Sequence, residues 1–101
     1  MTYLFIRHKV KNYGSWKSAF DRFIETRRSG GEKSYQIFHP SDDINNLYLI
    51  FEWNNLENAK KFIESPQLKE AMQKAGVIEA PEIHFLEEVA HGTTTLAYAS
   101  A

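Results

Sequence analysis

The sequence predicts an α+β fold in which a four-stranded antiparallel sheet carries helices on one face only. Three observations lead there. Two segments, Tyr3-Leu4-Phe5-Ile6 and Leu47-Tyr48-Leu49-Ile50-Phe51, are apolar at every position. As strands they would bury both faces of a sheet, because successive side chains point to opposite sides. Strand-like and helix-like periods follow one another in the order β-α-β-β-α-β. Finally, 101 residues make one domain, too short to wrap both faces of its own sheet. A partner must supply the second cover, and a second copy of the chain is the simplest one.

The elements follow in order. Thr2–Val10 reads as the first strand, turning polar at Arg7, His8 and Lys9. Asn12 can cap a helix running to about Arg28, since Tyr13, Trp16, Phe20, Phe23, Ile24 and Arg27 recur at three- and four-residue spacing. Arg27 and Arg28 suit the negative end of that helix, and Gly30-Gly31 stops it. Lys33–His39 alternates as a second strand. The turn formers Pro40–Asn46 join it in a hairpin to a third, Leu47–Trp53. Asn54 or Asn55 caps the next helix, with Leu56, Ala59, Phe62 and Ile63 on one face. Ser65-Pro66 restarts it, serine being a good N-cap and proline fitting the first turn. Leu68, Ala71, Met72 and Ala75 continue the stripe to Gly76. Pro81 precedes a last strand, Glu82–Val89.

The usual solution for this order is a ferredoxin-like sheet with spatial order 4-1-3-2, which makes the two doubly apolar strands central. Residues 1–90 form the domain. Residues 91–101 form a small, polar, almost uncharged tail, in which Thr93–Tyr98 could add a short edge strand on a partner subunit.

Charge and composition narrow the function. Twelve basic and thirteen acidic residues leave a net charge of −1, which argues against a nucleic-acid partner, since such binding rests on phosphate neutralisation. There is no cysteine, so disulfides, thiolate nucleophiles and cysteine-ligated metals are excluded. No apolar run approaches the roughly 18 residues of a membrane span, and no basic-then-apolar leader opens the chain. A cytoplasmic protein with no membrane partner is the expectation.

Few residues offer chemistry. His8 lies near the end of the first strand and His84 near the start of the last, so the two are expected to approach each other. A metal would need a third ligand, for which Glu82 or Glu52 is available. A hydrogen-bonded structural pair is the simpler reading, and no metal is expected. His39, at a turn, and His91, in the tail, read as solvated. Trp53, Phe62, Met72, Phe20 and Phe23 could line an oily, soft pocket between sheet and helices, with His8 as its polar group. The same aromatic residues would also serve as ordinary core. Arg7 and Glu52 interrupt the central apolar strands. Buried charges demand partners, so these two are expected to set the register of a dimer interface.

The element order, the segment Phe51-Glu52-Trp53 and the stretch Ala59–Lys74 (AKKFIESPQLKEAMQK) resemble the dimeric α/β-barrel superfamily, in particular its antibiotic biosynthesis monooxygenase-like domains. The resemblance covers about residues 2 to 89. It implies a homodimer whose sheets pack face to face, with a pocket in each subunit between sheet and helices. Some members of that family oxidise polycyclic aromatic substrates with no cofactor, others degrade haem, and many have no known reaction. The haem-ligating histidine of the haem-degrading branch would fall at Met72, its ring-contacting tryptophan at Phe62 and its asparagine near Arg7 or His8. None matches, so haem degradation is set aside. The cofactor-free oxygenases use pocket asparagine, tryptophan, tyrosine and arginine residues, of which Trp53 is the one placed here.

Two functions remain in competition. One is a homodimeric, cofactor-free monooxygenase-like enzyme acting on a flat aromatic or polyketide-like molecule. The other is a non-catalytic dimerisation or ligand-sensing domain, favoured by the lack of an acid–base constellation. An RNA-recognition module shares the strand order. It is set aside because Asn46–Trp53 contains no glycine, lysine or arginine.

Overall fold

The computed structural model describes residues 1–95. Its elements are β1 (Thr2–Lys9), α1 (Tyr13–Arg22), α2 (Ile24–Gly30), β2 (Glu32–Phe38), β3 (Asn46–Trp53), α3 (Leu56–Glu64), α4 (Pro66–Lys74) and β4 (Glu82–Glu87). The four strands form one antiparallel sheet in the order β2-β3-β1-β4, with β1 and β3 central as the sequence predicts.

Alternation along the central strands decides what each face does. Thr2, Leu4, Ile6 and His8 of β1 are buried, as are Leu47, Leu49, Phe51 and Trp53 of β3. The register pairs Leu4 with Phe51, Ile6 with Leu49 and His8 with Leu47, which sets these side chains in one continuous layer. Trp16 of α1 and Ala59 of α3 complete the core above that layer. Burying each of these Leu, Ile or Phe side chains contributes about 1.5–3 kcal/mol. The opposite face carries Tyr3, Phe5 and Arg7 of β1, and Tyr48, Ile50 and Glu52 of β3, all half-buried. Phe38 of β2 and Leu86 of β4 share this face and are 48% and 46% exposed. Among the described residues no helix covers it.

The helix expected over Asn12–Arg28 is divided at Phe23, whose φ of −88° and ψ of 6° leave the helical range. The reason lies in Arg27. Its buried guanidinium donates through Nη1 to the Phe20 carbonyl, an acceptor that an unbroken helix would offer to the Ile24 N–H. Elsewhere the local signals act as read. The side chains of Asn12, Asn55 and Ser65 accept from the backbone N–H groups of Ser15, Asn58 and Gln67 at 2.9, 2.8 and 3.2 Å. Pro66 occupies the first turn of α4. Gly31, at φ 125°, ends α2, and a β-carbon there would collide with the Asn54 side chain.

Strand ends move by a residue or two for reasons of pairing. Val10 leaves the sheet to form an isolated bridge with Val77. β4 stops at Glu87 because that residue pairs with Thr2, the first of β1, so Val89 has no strand beside it and is exposed. β2 begins at Glu32, one residue early, with an irregularity in pairing between Glu32 and Ser34. Of the tail segment 93–98, residues 93–95 carry no strand and the rest lies outside the described residues. No helix among the described residues is long and apolar enough to cross a membrane.

Candidate functional site

The inner face of β1 and β3, with the helices above it, borders a half-open cavity of about 70 Å³. Ile6, Leu49 and Phe51 form its floor. α1 and α2 supply Trp16, Phe20, Phe23 and Arg27, and Phe62 of α3 faces Leu68, Ala71 and Met72 of α4. His8 and Arg27 are the polar members of a wall that is otherwise apolar or aromatic.

His8 points inward because it continues the even-numbered, buried face of β1. It is 3% exposed, and neither ring nitrogen has a hydrogen-bond partner among the described residues. Burial favours the uncharged imidazole and lowers its pKa to about 4. The ring stands nearly perpendicular to Trp16, at 5.6 Å between centroids. Trp16 in turn stacks on Phe20 at 4.9 Å, with the planes 24° apart. The far side of Phe20 meets the Arg27 guanidinium, 3.7 Å from the ring centroid. One stacked aromatic wall therefore has a neutral imidazole at one end and a guanidinium at the other.

Arg27 is 2% exposed and held on two edges. Nε donates to Glu32 Oε1 at 2.9 Å, and Nη1 to the Phe20 carbonyl. Nη2 is buried with no partner among the described residues. Desolvation raises the Glu32 pKa, and Arg27 offsets part of that rise. Sequence reasoning placed Arg27 only on the helix stripe and at its basic end. The signal it passed over is the charge itself: Arg27 recurs with Trp16, Phe20 and Phe23 on the stripe that faces the core.

The structure distributes the expected site residues as follows. His8, Phe20, Phe23, Phe62 and Met72 border the cavity together. Trp53 does not border it. Its fully buried indole packs behind Phe62 at 5.0 Å, with Nε1 unpartnered among the described residues. Arg7 and Glu52 lie on the open sheet face, paired in register with Tyr48 and Tyr3. Four residues of strand separate those positions, roughly 13 Å, so the two charges do not meet within one subunit. Arg7 instead lies 6.0 Å from the centre of the Tyr48 ring.

The expected proximity of His8 and His84 is overturned. His8 faces the helices, whereas His84 pairs with Phe5 on the open face and rests 5.7 Å from its ring. Strand alternation, which the ends-of-strand argument left out, separates them across the sheet. His84 Nε2 instead contacts Glu82 Oε2 at 2.9 Å. No group of three or more potential metal-ligating side chains occurs among the described residues. His39 and His91 are exposed, as expected. His39 Nδ1 lies 2.6 Å from the Pro40 carbonyl, and His91 lies 3.5 Å from Glu88.

No family model and no curated protein matches the chain. Solved structures do match in fold. SnoaB, a cofactor-independent oxygenase from Streptomyces nogalater, superposes with a TM-score of 0.70 at 14% identity, over 94% of this chain and 97% of its own. An antibiotic biosynthesis monooxygenase superposes with a TM-score of 0.68 at 13% identity, over 89% of this chain and 100% of its own. A conserved protein from Methanosarcina mazei Go1 gives 0.67 at 16% identity, over 86% and 91%. These likenesses establish the ferredoxin-like α+β fold shared with antibiotic biosynthesis monooxygenase-like structures.

Proposed function

We propose that the chain works as a homodimer in which each subunit holds a flat aromatic or polyketide-like molecule between sheet and helices and oxidises it without a cofactor. His8 is the observation that carries this reading. A buried polar side chain is normally hydrogen-bonded, and leaving one unpaired costs about 1–3 kcal/mol. Both His8 nitrogens are unpaired among the described residues, beside a cavity walled by aromatic rings. A ligand hydroxyl donating to the unprotonated ring nitrogen would remove part of that cost. With its pKa near 4, the imidazole is neutral at pH 7 and can accept a hydrogen bond from such a hydroxyl. The fold shared with SnoaB, described as a cofactor-independent oxygenase, supports the reaction class.

The cavity of about 70 Å³ is smaller than the roughly 300–1,000 Å³ of most ligand pockets. A ligand must therefore displace part of the wall. Ala71 and Met72 of α4 are wall residues that are only half-buried, so we take that helix as the side that yields. This small volume favours the second reading, a ligand-sensing domain without turnover, in which binding moves α4 and nothing more.

Oxygen uptake and quinone formation with anthrone, whose ring methylene becomes a carbonyl as O2 gives one oxygen atom to the product and the other to water, distinguish the two. The enzyme reading expects a rate above the uncatalysed oxidation, lost at least tenfold in His8→Ala. Binding without any rate above background selects the sensing domain.

A further inference from the structure

We infer that Arg27 makes the α2 end of the cavity an anion subsite, so that the ligand is a flat aromatic bearing an anionic oxygen, as in an aromatic carboxylate. This rests on the proposed flat-aromatic site and adds a charge requirement to it.

The argument starts from the guanidinium's five N–H groups. Glu32 engages Nε and the Phe20 carbonyl engages Nη1, while Nη2 is buried without a partner among the described residues. An Arg serving only to clamp α2 to β2 would have its remaining edge satisfied by protein or turned to water. Here that edge is neither, and the residue borders the cavity. Phe20 fixes the guanidinium plane from below at 3.7 Å, leaving little freedom to turn Nη2 toward another partner. A planar guanidinium held on two sides is pre-organised for oxygen anions, whose charge-assisted hydrogen bonds are roughly twice as strong as neutral ones.

Glu32 does not close the site to an anion. Its carboxyl is nearly as buried as Arg27, and burial favours its uncharged form. An incoming carboxylate can take over as the counter-charge while Glu32 accepts a proton from solvent. The aromatic part of the ligand would lie along the Trp16–Phe20 wall, toward the neutral His8 at its other end.

Calorimetric titration of the full chain at pH 7 with naphthalene-2-carboxylate and its uncharged isostere naphthalene-2-carboxamide tests this. The carboxylate is expected to bind at least tenfold more tightly. In Arg27→Met/Glu32→Gln, which removes both members of the buried pair, the preference should vanish, the carboxylate losing at least ten times more affinity than the carboxamide. Equal affinities in the unaltered chain, or a preference that survives the double substitution, overturn the anion subsite and leave the aromatic pocket standing. Binding of neither probe overturns both. If the double variant does not fold, the ¹⁵N resonances of the Arg27 side chain in the unaltered chain decide. They should shift with the carboxylate and not with the carboxamide, and the absence of a shift with the carboxylate overturns the subsite.

Discussion

His8 is held neutral by its surroundings, and that has a measurable consequence for stability. Its pKa falls from 6.5 to about 4 on folding, so between those values the unfolded chain binds a proton that the folded chain does not. Stability is therefore fully present above pH 6.5 and declines as the pH falls toward 4, by about 3 kcal/mol in all. Urea titrations at pH 7 and pH 4 should show this loss. In His8→Phe, which removes the group, the difference between the two pH values should shrink by that amount. A pH dependence unchanged in the variant would mean that His8 is solvated. Glu32, whose pKa is raised, acts with the opposite sign and is common to both proteins, so it cancels in the comparison. As a residue type in a strand His8 was legible in the sequence. Its place as the polar group of a pocket between sheet and helices was read as well; the company of Arg27 was not, because it depends on how α2 packs over the sheet.

At the scale of elements, the strands were readable and the helices only in part. Period-two patterns, turn formers and caps each act locally, so they survive any tertiary arrangement, as the Asn12, Asn55 and Ser65 caps illustrate. The break at Phe23 depends on a side chain four residues further on reaching back to a carbonyl, which no local pattern encodes. α4 carries the element-scale prediction. Met72 borders both the cavity between sheet and helices and a second groove of about 450 Å³, whose other walls include Ile63, Val77 and Pro81. A thioether between two voids is a soft partition, since methionine has three rotatable bonds and adapts its shape readily. Met72→Ala should join the voids and speed association of naphthalene-2-carboxylate severalfold in stopped-flow fluorescence of Trp16 and Trp53. An unchanged association rate would place the entry elsewhere.

For the whole molecule the open face of the sheet dominates. Tyr3, Phe5, Tyr48 and Ile50 at its centre, with Phe38 and Leu86 toward its edges, make an apolar surface that a soluble monomer seldom leaves bare. A second copy laid face to face, about a two-fold axis between the sheets and perpendicular to the central strands, would bring the Arg7 row of one over the Glu52 row of the other. Ile50→Glu should convert such a dimer to a monomer in sedimentation velocity while the far-ultraviolet circular dichroism stays the same. An unaltered chain that sediments as a monomer at micromolar concentration would remove the dimer.

The sequence by itself determined the strand order and the central position of β1 and β3, because hydrophobic period and turn chemistry are local properties that limit which topologies can bury the apolar residues. Only the tertiary structure decided that His84 lies across the sheet from His8, that Trp53 stands behind the cavity wall and that Arg27 joins His8 at its border. Those outcomes depend on which face of the sheet the helices cover and on contacts between residues far apart in the chain. A pattern along the sequence specifies that two faces exist without saying what meets on each.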